Sequence, residues 1–119
     1  MSQKTPEYWL EDIGSHGLPH GRFCQLFGDD EITCDEAKRQ AALVGIELRY
    51  SIQDMPPQMI EDGDCLNAGY LAQIERPAWA HFGGWVLRGA IDTEDGDILL
   101  TYARPLKNVA AMNAENGNG

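Results

Sequence analysis

Thr33-Cys34-Asp35-Glu36-Ala37-Lys38-Arg39-Gln40-Ala41-Ala42-Leu43-Val44-Gly45-Ile46-Glu47-Leu48-Arg49-Tyr50-Ser51-Ile52-Gln53 changes its period partway along. Its opening matches a capping box, in which the Thr33 hydroxyl and the Glu36 carboxylate each satisfy an orphan backbone N–H at a helix start. Ala37 to Leu43 are good helix formers, and Gly45, free to take positive φ, suits the position just past a helix end. The stretch therefore predicts a helix over about residues 34–44. Immediately afterwards Ile46, Leu48, Tyr50 and Ile52 alternate with Glu47, Arg49, Ser51 and Gln53, the period of a strand with one buried face. Pro56-Pro57 ends that strand.

C-terminal to it, residues 59–74 are ambiguous. Leu66, Tyr70, Leu71 and Ile74 have helical spacing, while Gly63, Gly69 and the mixed apolar pattern also suit a strand. After Arg76-Pro77 comes an aromatic group, Trp79, His81, Phe82 and Trp85, interrupted by Gly83-Gly84. Trp85 to Ile91 and Ile98 to Ala103 then flank Asp92-Thr93-Glu94-Asp95-Gly96-Asp97, which reads as a β-hairpin with an acidic tip and Asp95-Gly96 supplying the turn. Towards the N-terminus, Gly14 to Gly21 is punctuated as a loop, and Arg22 to Phe27 reads as a short strand running into Gly28-Asp29-Asp30. Tyr8, Trp9, Leu10 and Ile13 read as one helical turn or an irregular apron on the core. The fold class expected is α+β: one domain over residues 1–112, an antiparallel sheet of four or five strands with the 34–44 helix packed on it, and a flexible polar tail over 113–119.

A chain of 119 residues, 43% hydrophobic and 24% charged, has the composition of a folding domain large enough to build a core without disulfides or a structural metal. The N-terminal segment lacks the apolar run of a secretion signal, and no stretch is long enough to span a bilayer. Cys24, Cys34 and Cys65 are odd in number and form no Cys-x-x-Cys pair, which suits reduced thiols and a cytoplasmic location. Nineteen acidic residues against nine basic ones give a formal charge of −10, which repels nucleic acid and anionic membranes and attracts a basic protein, including one that itself binds nucleic acid.

The acidity gathers in clusters: Asp29, Asp30 and Glu31, with Asp35 and Glu36 close behind; Glu61, Asp62 and Asp64; and Asp92, Glu94, Asp95 and Asp97. Each falls at an expected turn or helix start, where carboxylates solvate a loop or complement a helix dipole. Taken together they present negative charge much as a phosphate backbone does. The hairpin tip does not fit a calcium loop, because the first ligand position would fall on Ile91. Trp85, in an aromatic group whose residue types are enriched at interface hot spots, is the expected apolar anchor.

His16, His20 and Cys24 carry zinc-preferring donors four residues apart, but Gly17, Pro19 and Gly21 break the helix on which that spacing would matter. Cys34 would sit in the first turn of the helix, where the dipole favours thiolate, but the surrounding carboxylates oppose it. No nucleophile and base pair stands out, and no cofactor is expected. The expected function is a non-catalytic acidic binding protein that occupies a basic surface of a larger protein, in the manner of an inhibitor, an immunity protein, a nucleic-acid mimic or a phage-type anti-defence protein. The alternative is a small enzyme or ligand-binding domain using the His16/His20/Cys24 loop, with zinc as its candidate metal.

Overall fold

The computed structural model describes residues 5–14, 17–27, 32–93 and 95–106. Along the chain come α1 (Pro6–Leu10), a 3-10 helix (Arg22–Phe27), α2 (Cys34–Leu43), β1 (Ile46–Asp54), α3 (Pro57–Asp62), α4 (Ala68–Gln73), a short 3-10 helix (Ala78–His81), β2 (Val86–Asp92) and β3 (Asp97–Pro105). The strands form one antiparallel sheet in the order β1-β3-β2.

The element boundaries follow local chemistry. At the start of α2 the Thr33 hydroxyl accepts a 3.1 Å hydrogen bond from the Glu36 N–H. The reciprocal half of the expected box is not what Glu36 does: its carboxylate accepts instead from Arg39 Nε at 2.7 Å and from Gln40, and the Arg39 bond holds its pKa below the usual range. The chain leaves the helix through Gly45 at φ +82°, and Ile46 pairs at once with Pro105 of β3. β2 and β3 form the expected hairpin, turning through Gly96 at φ +87°.

Two expectations are corrected. The sheet has three strands among the described residues, not four or five. Arg22–Phe27, expected as a strand, is a 3-10 helix. Its apolar residues Phe23, Cys24, Leu26 and Phe27 also recur at i, i+3 and i+4, and this tight turn buries Phe23 completely against Ala37 and Ala41 of α2. Tertiary packing here overrides a strand preference that measures little more than fit to a half-buried sheet. The ambiguous stretch 59–74 is helical. Pro57 occupies the first turn of α3, which ends at Gly63, and Asn67 caps α4 by accepting from the Tyr70 N–H at 3.0 Å.

Side chains from the strands divide between two clusters on opposite faces of the sheet. Ile98, Leu100 and Tyr102 of β3 join Leu87 and Ala90 of β2 beneath Met59, Leu66, Tyr70 and Ile74, with Trp79 and Trp85 packed alongside. Ile46, Leu48 and Ala103 face the other way, beneath Phe23, Ala37 and Ala41. Residues 1–4, 15–16, 28–31, 94 and 107–119 lie outside the described residues, and with them the expected tail over 113–119.

Candidate functional site

The second face of the sheet is covered over only part of its length. A helix of 10 residues spans about 15 Å at 1.5 Å per residue. The strand it packs on has 9 residues and spans about 30 Å. α2 covers the first half of β1, as far as Tyr50, over whose ring the Lys38 ammonium sits at 5.8 Å. Burial there pushes the Tyr50 phenol up to about 12, so it is neutral at physiological pH. Beyond Tyr50 the face carries a cross-strand row, Ile52 opposite Leu99 and Leu99 opposite Ile91. Ile52 is 66% exposed and Ile91 57%. Ile52 was expected on the buried side of its strand; it is on the expected face, but the helix above that face ends too early to reach it.

A bulge places Ile91 in this row. Leu87 pairs with Tyr102 and Gly89 with Thr101, so the register slips between them at Arg88. Without that slip, strict alternation would put Leu87 and Ile91 on the same face. With it, Leu87 and Ala90 turn to the covered face and Ile91 to the open one. The bulge is fastened by hydrogen bonds: Arg88 Nε donates to the Leu10 carbonyl at 2.6 Å, and the Arg88 carbonyl accepts from the Gly21 N–H at 2.9 Å.

Carboxylates border the row. Asp54 and Asp97 stand directly opposite each other in the β1–β3 register, next along from Ile52 and Leu99. Asp95 lies in the turn, and Asp92 closes β2 opposite Ile98 on the other face. The turn is organised by Thr93, whose hydroxyl accepts from the Asp95 N–H at 3.2 Å and the Asp97 N–H at 3.3 Å. The aspartate side chains are therefore not needed to hold it. Among the described residues the ion pairs are Arg22–Glu11, Arg39–Glu36 and Arg104–Glu47, and none involves this end of the sheet.

The other candidate residues are placed elsewhere. Asp62 and Asp64 both accept from the Tyr70 hydroxyl, at 2.6 and 3.1 Å, and Gln58 donates to Asp62 at 2.8 Å. Those bonds, led by Asp62, hold the Tyr70 phenol well above its ordinary pKa. The pair thus fastens α3 to α4, and Glu61 of the same cluster is exposed on α3. Trp85 is not beside the acidic tip. It sits at the far end of the sheet, edge to face with Trp79 at 5.6 Å and under the Arg104 guanidinium at 4.1 Å. Arg104 is in turn held by Glu47 Oε1 at 2.8 Å and the Gly83 carbonyl at 2.9 Å. Asp29, Asp30, Glu31 and Glu94 lie outside the described residues.

In the loop weighed for zinc, His20 is bridged through its backbone to Gly89, and Cys24 packs against the second cluster, where burial raises its thiol pKa. His16 lies outside the described residues. Among those described, no group of three His, Cys, Asp or Glu side chains is placed to hold a metal ion. Asp12 helps fasten the two described ends of the loop: its Oδ1 accepts from the His20 N–H at 3.0 Å and the Gly14 N–H at 2.9 Å. These two bonds lower the Asp12 pKa. An open hollow of about 270 Å³ beside it, lined by Ile13, Gly14, Leu18, Pro19, His20 and Ala90, falls below the roughly 300–1,000 Å³ of pockets that enclose a drug-sized ligand.

No described helix is long and apolar enough to cross a membrane. No protein-family model, curated protein or solved structure matches the chain.

Sequence reasoning missed Asp54, Ile52, Leu99 and Ile91 as a group. The residues themselves were legible, but their adjacency depends on strand register, on the bulge and on the length of α2.

Proposed function

We propose that this chain is a non-catalytic acidic binding protein that acts by occupying a basic surface of a larger protein. The observation that supports this best is the set of carboxylates at one end of the sheet, Asp54, Asp92, Asp95 and Asp97, which has no ion-pair partner among the described residues. Elsewhere Glu47, Glu36 and Glu11 each hold an arginine, and the carboxylates without an ion pair on the helices, such as Asp35 and Glu61, are not set opposite one another across paired strands as Asp54 and Asp97 are. Unpaired like charges set side by side raise the local negative potential, which accelerates encounter with a positive surface and rejects phosphate backbones. Partners of matching chemistry are basic proteins, including those whose basic surface otherwise holds nucleic acid.

The test is capture from a lysate of the source organism, repeated at low and high salt, beside a variant carrying Asp54→Asn, Asp92→Asn, Asp95→Asn and Asp97→Asn. A basic protein should be retained by the wild-type chain at low salt, be released as salt rises, and associate with the variant at least about tenfold more slowly. A partner bound equally well at both salt concentrations and by both chains would contradict the proposal.

A further inference from the structure

In the row Ile52, Leu99 and Ile91 the two outer side chains are exposed and Leu99 between them is half-buried, so the fold turns apolar surface outward by construction. α2 is too short to reach it, and the bulge at Arg88, tied to Leu10 and Gly21, rotates Ile91 onto it. Neighbouring strands lie about 4.8 Å apart, so the three side chains form one continuous strip about 10 Å wide across the sheet. Asp54 and Asp97 border it on the hairpin side, with Asp95 beyond them, and Lys38 bounds it on the helix side. An apolar centre with a charged rim is the anatomy of a protein interface.

Resting on the function proposed above, we infer that this strip is the apolar anchor of the interface, and that its occupant is an amphipathic basic segment of the partner: apolar side chains seated on Ile52, Leu99 and Ile91, flanked by lysine or arginine facing Asp54 and Asp97. Charge complementarity selects that occupant. A second copy of this chain would bring another Asp54 and Asp97 against the first, between bodies of formal charge −10 each. A wholly polar basic segment would leave the apolar strip in water.

Two synthetic twelve-residue peptides of equal charge test this against the full-length chain labelled with nitrogen-15: one alternating lysine and leucine, the other lysine and serine. The lysine–leucine peptide should bind about tenfold more tightly, with amide shifts centred on Ile52, Leu99 and Ile91. Ile52→Thr with Ile91→Thr should erase that advantage and leave the lysine–serine affinity unchanged. Both positions are exposed and threonine keeps the strand preference, so an unchanged melting temperature confirms folding. Equal binding of both peptides around Asp54 and Asp97, weakened by salt, would overturn the apolar anchor and leave the acidic reading standing. Binding of neither would overturn both. Dimerisation abolished by Ile52→Thr, or contacts from residues 107–119 to Ile52, would overturn the inference by assigning the strip to a second copy or to the chain's own C-terminal segment.

Discussion

The two faces of this sheet are built from the same three strands and differ in how far they are covered. On one, Ile98, Leu100 and Tyr102 lie almost wholly buried under α3, α4 and the Trp79 segment. On the other, burial is complete at Ile46 and Leu48, partial at Tyr50, and largely gone at Ile52 and Ile91. Hydrophobic residues occur in both halves of the open face, so hydrophobicity alone does not decide burial. Element length decides it, since ten helical residues reach about half as far as nine in a strand.

The largest test of that difference pairs two isoleucines. Ile98→Ala removes a fully buried side chain and should cost about 2–5 kcal/mol in urea unfolding, whereas Ile52→Ala should stay within about 0.5 kcal/mol. Comparable losses would mean that the open half is covered in solution.

Within the covered face, the Tyr102 hydroxyl is buried with no hydrogen-bond partner among the described residues. Tyr102→Phe removes that cost while keeping the ring against Trp79, whose centroid is 5.1 Å away. Stability should rise by about 1 kcal/mol. A loss of similar size would show that the hydroxyl is satisfied after all.

At the border of the open half, Asp54 and Asp97 face each other as like charges across the strands. Asp54→Asn should therefore raise stability by a few tenths of a kcal/mol, and the gain should vanish at high salt, while encounter with a basic partner slows.

The smallest effect concerns Asp12. Its folded-state pKa is depressed, so its contribution is present above the unfolded value of about 3.9 and is lost as pH falls through the folded value. Unfolding titrations below pH 4 should be shallower for Asp12→Asn than for the parent chain. Because the carboxylate is exposed, the difference will be slight.

What the residues disclosed in advance was local. Thr33, Gly45 and the alternation from Ile46 were enough to place α2 and β1, and Asp95-Gly96 placed the hairpin. Arg22–Phe27 reads either way because its apolar residues Phe23, Cys24, Leu26 and Phe27 fall at adjacent, i+3 and i+4 positions that suit a strand or a tight helix, and only Phe23's contact with Ala37 and Ala41 decides between them. The cap signals at Pro57 and Asn67 were present, but the glycines nearby obscured them. At the candidate site, Asp92, Asp95 and Asp97 were legible as a charged turn. Asp54 was not, because it joins them only through strand pairing, and Ile91 was not, because alternation puts it on the same side as Leu87 unless a bulge intervenes. Asp62 and Asp64 were read as free charge, yet Tyr70 claims both.

Solvent access to the isoleucine methyl groups tests the half-covered face most directly, read as relaxation by a soluble paramagnetic probe in the full-length chain. Ile52 and Ile91 should relax about as fast as Ile60, an exposed residue of α3, while Ile46 and Ile98 stay protected. Protection of Ile52 and Ile91 equal to that of Ile98 would contradict the open strip and remove the docking surface built on it.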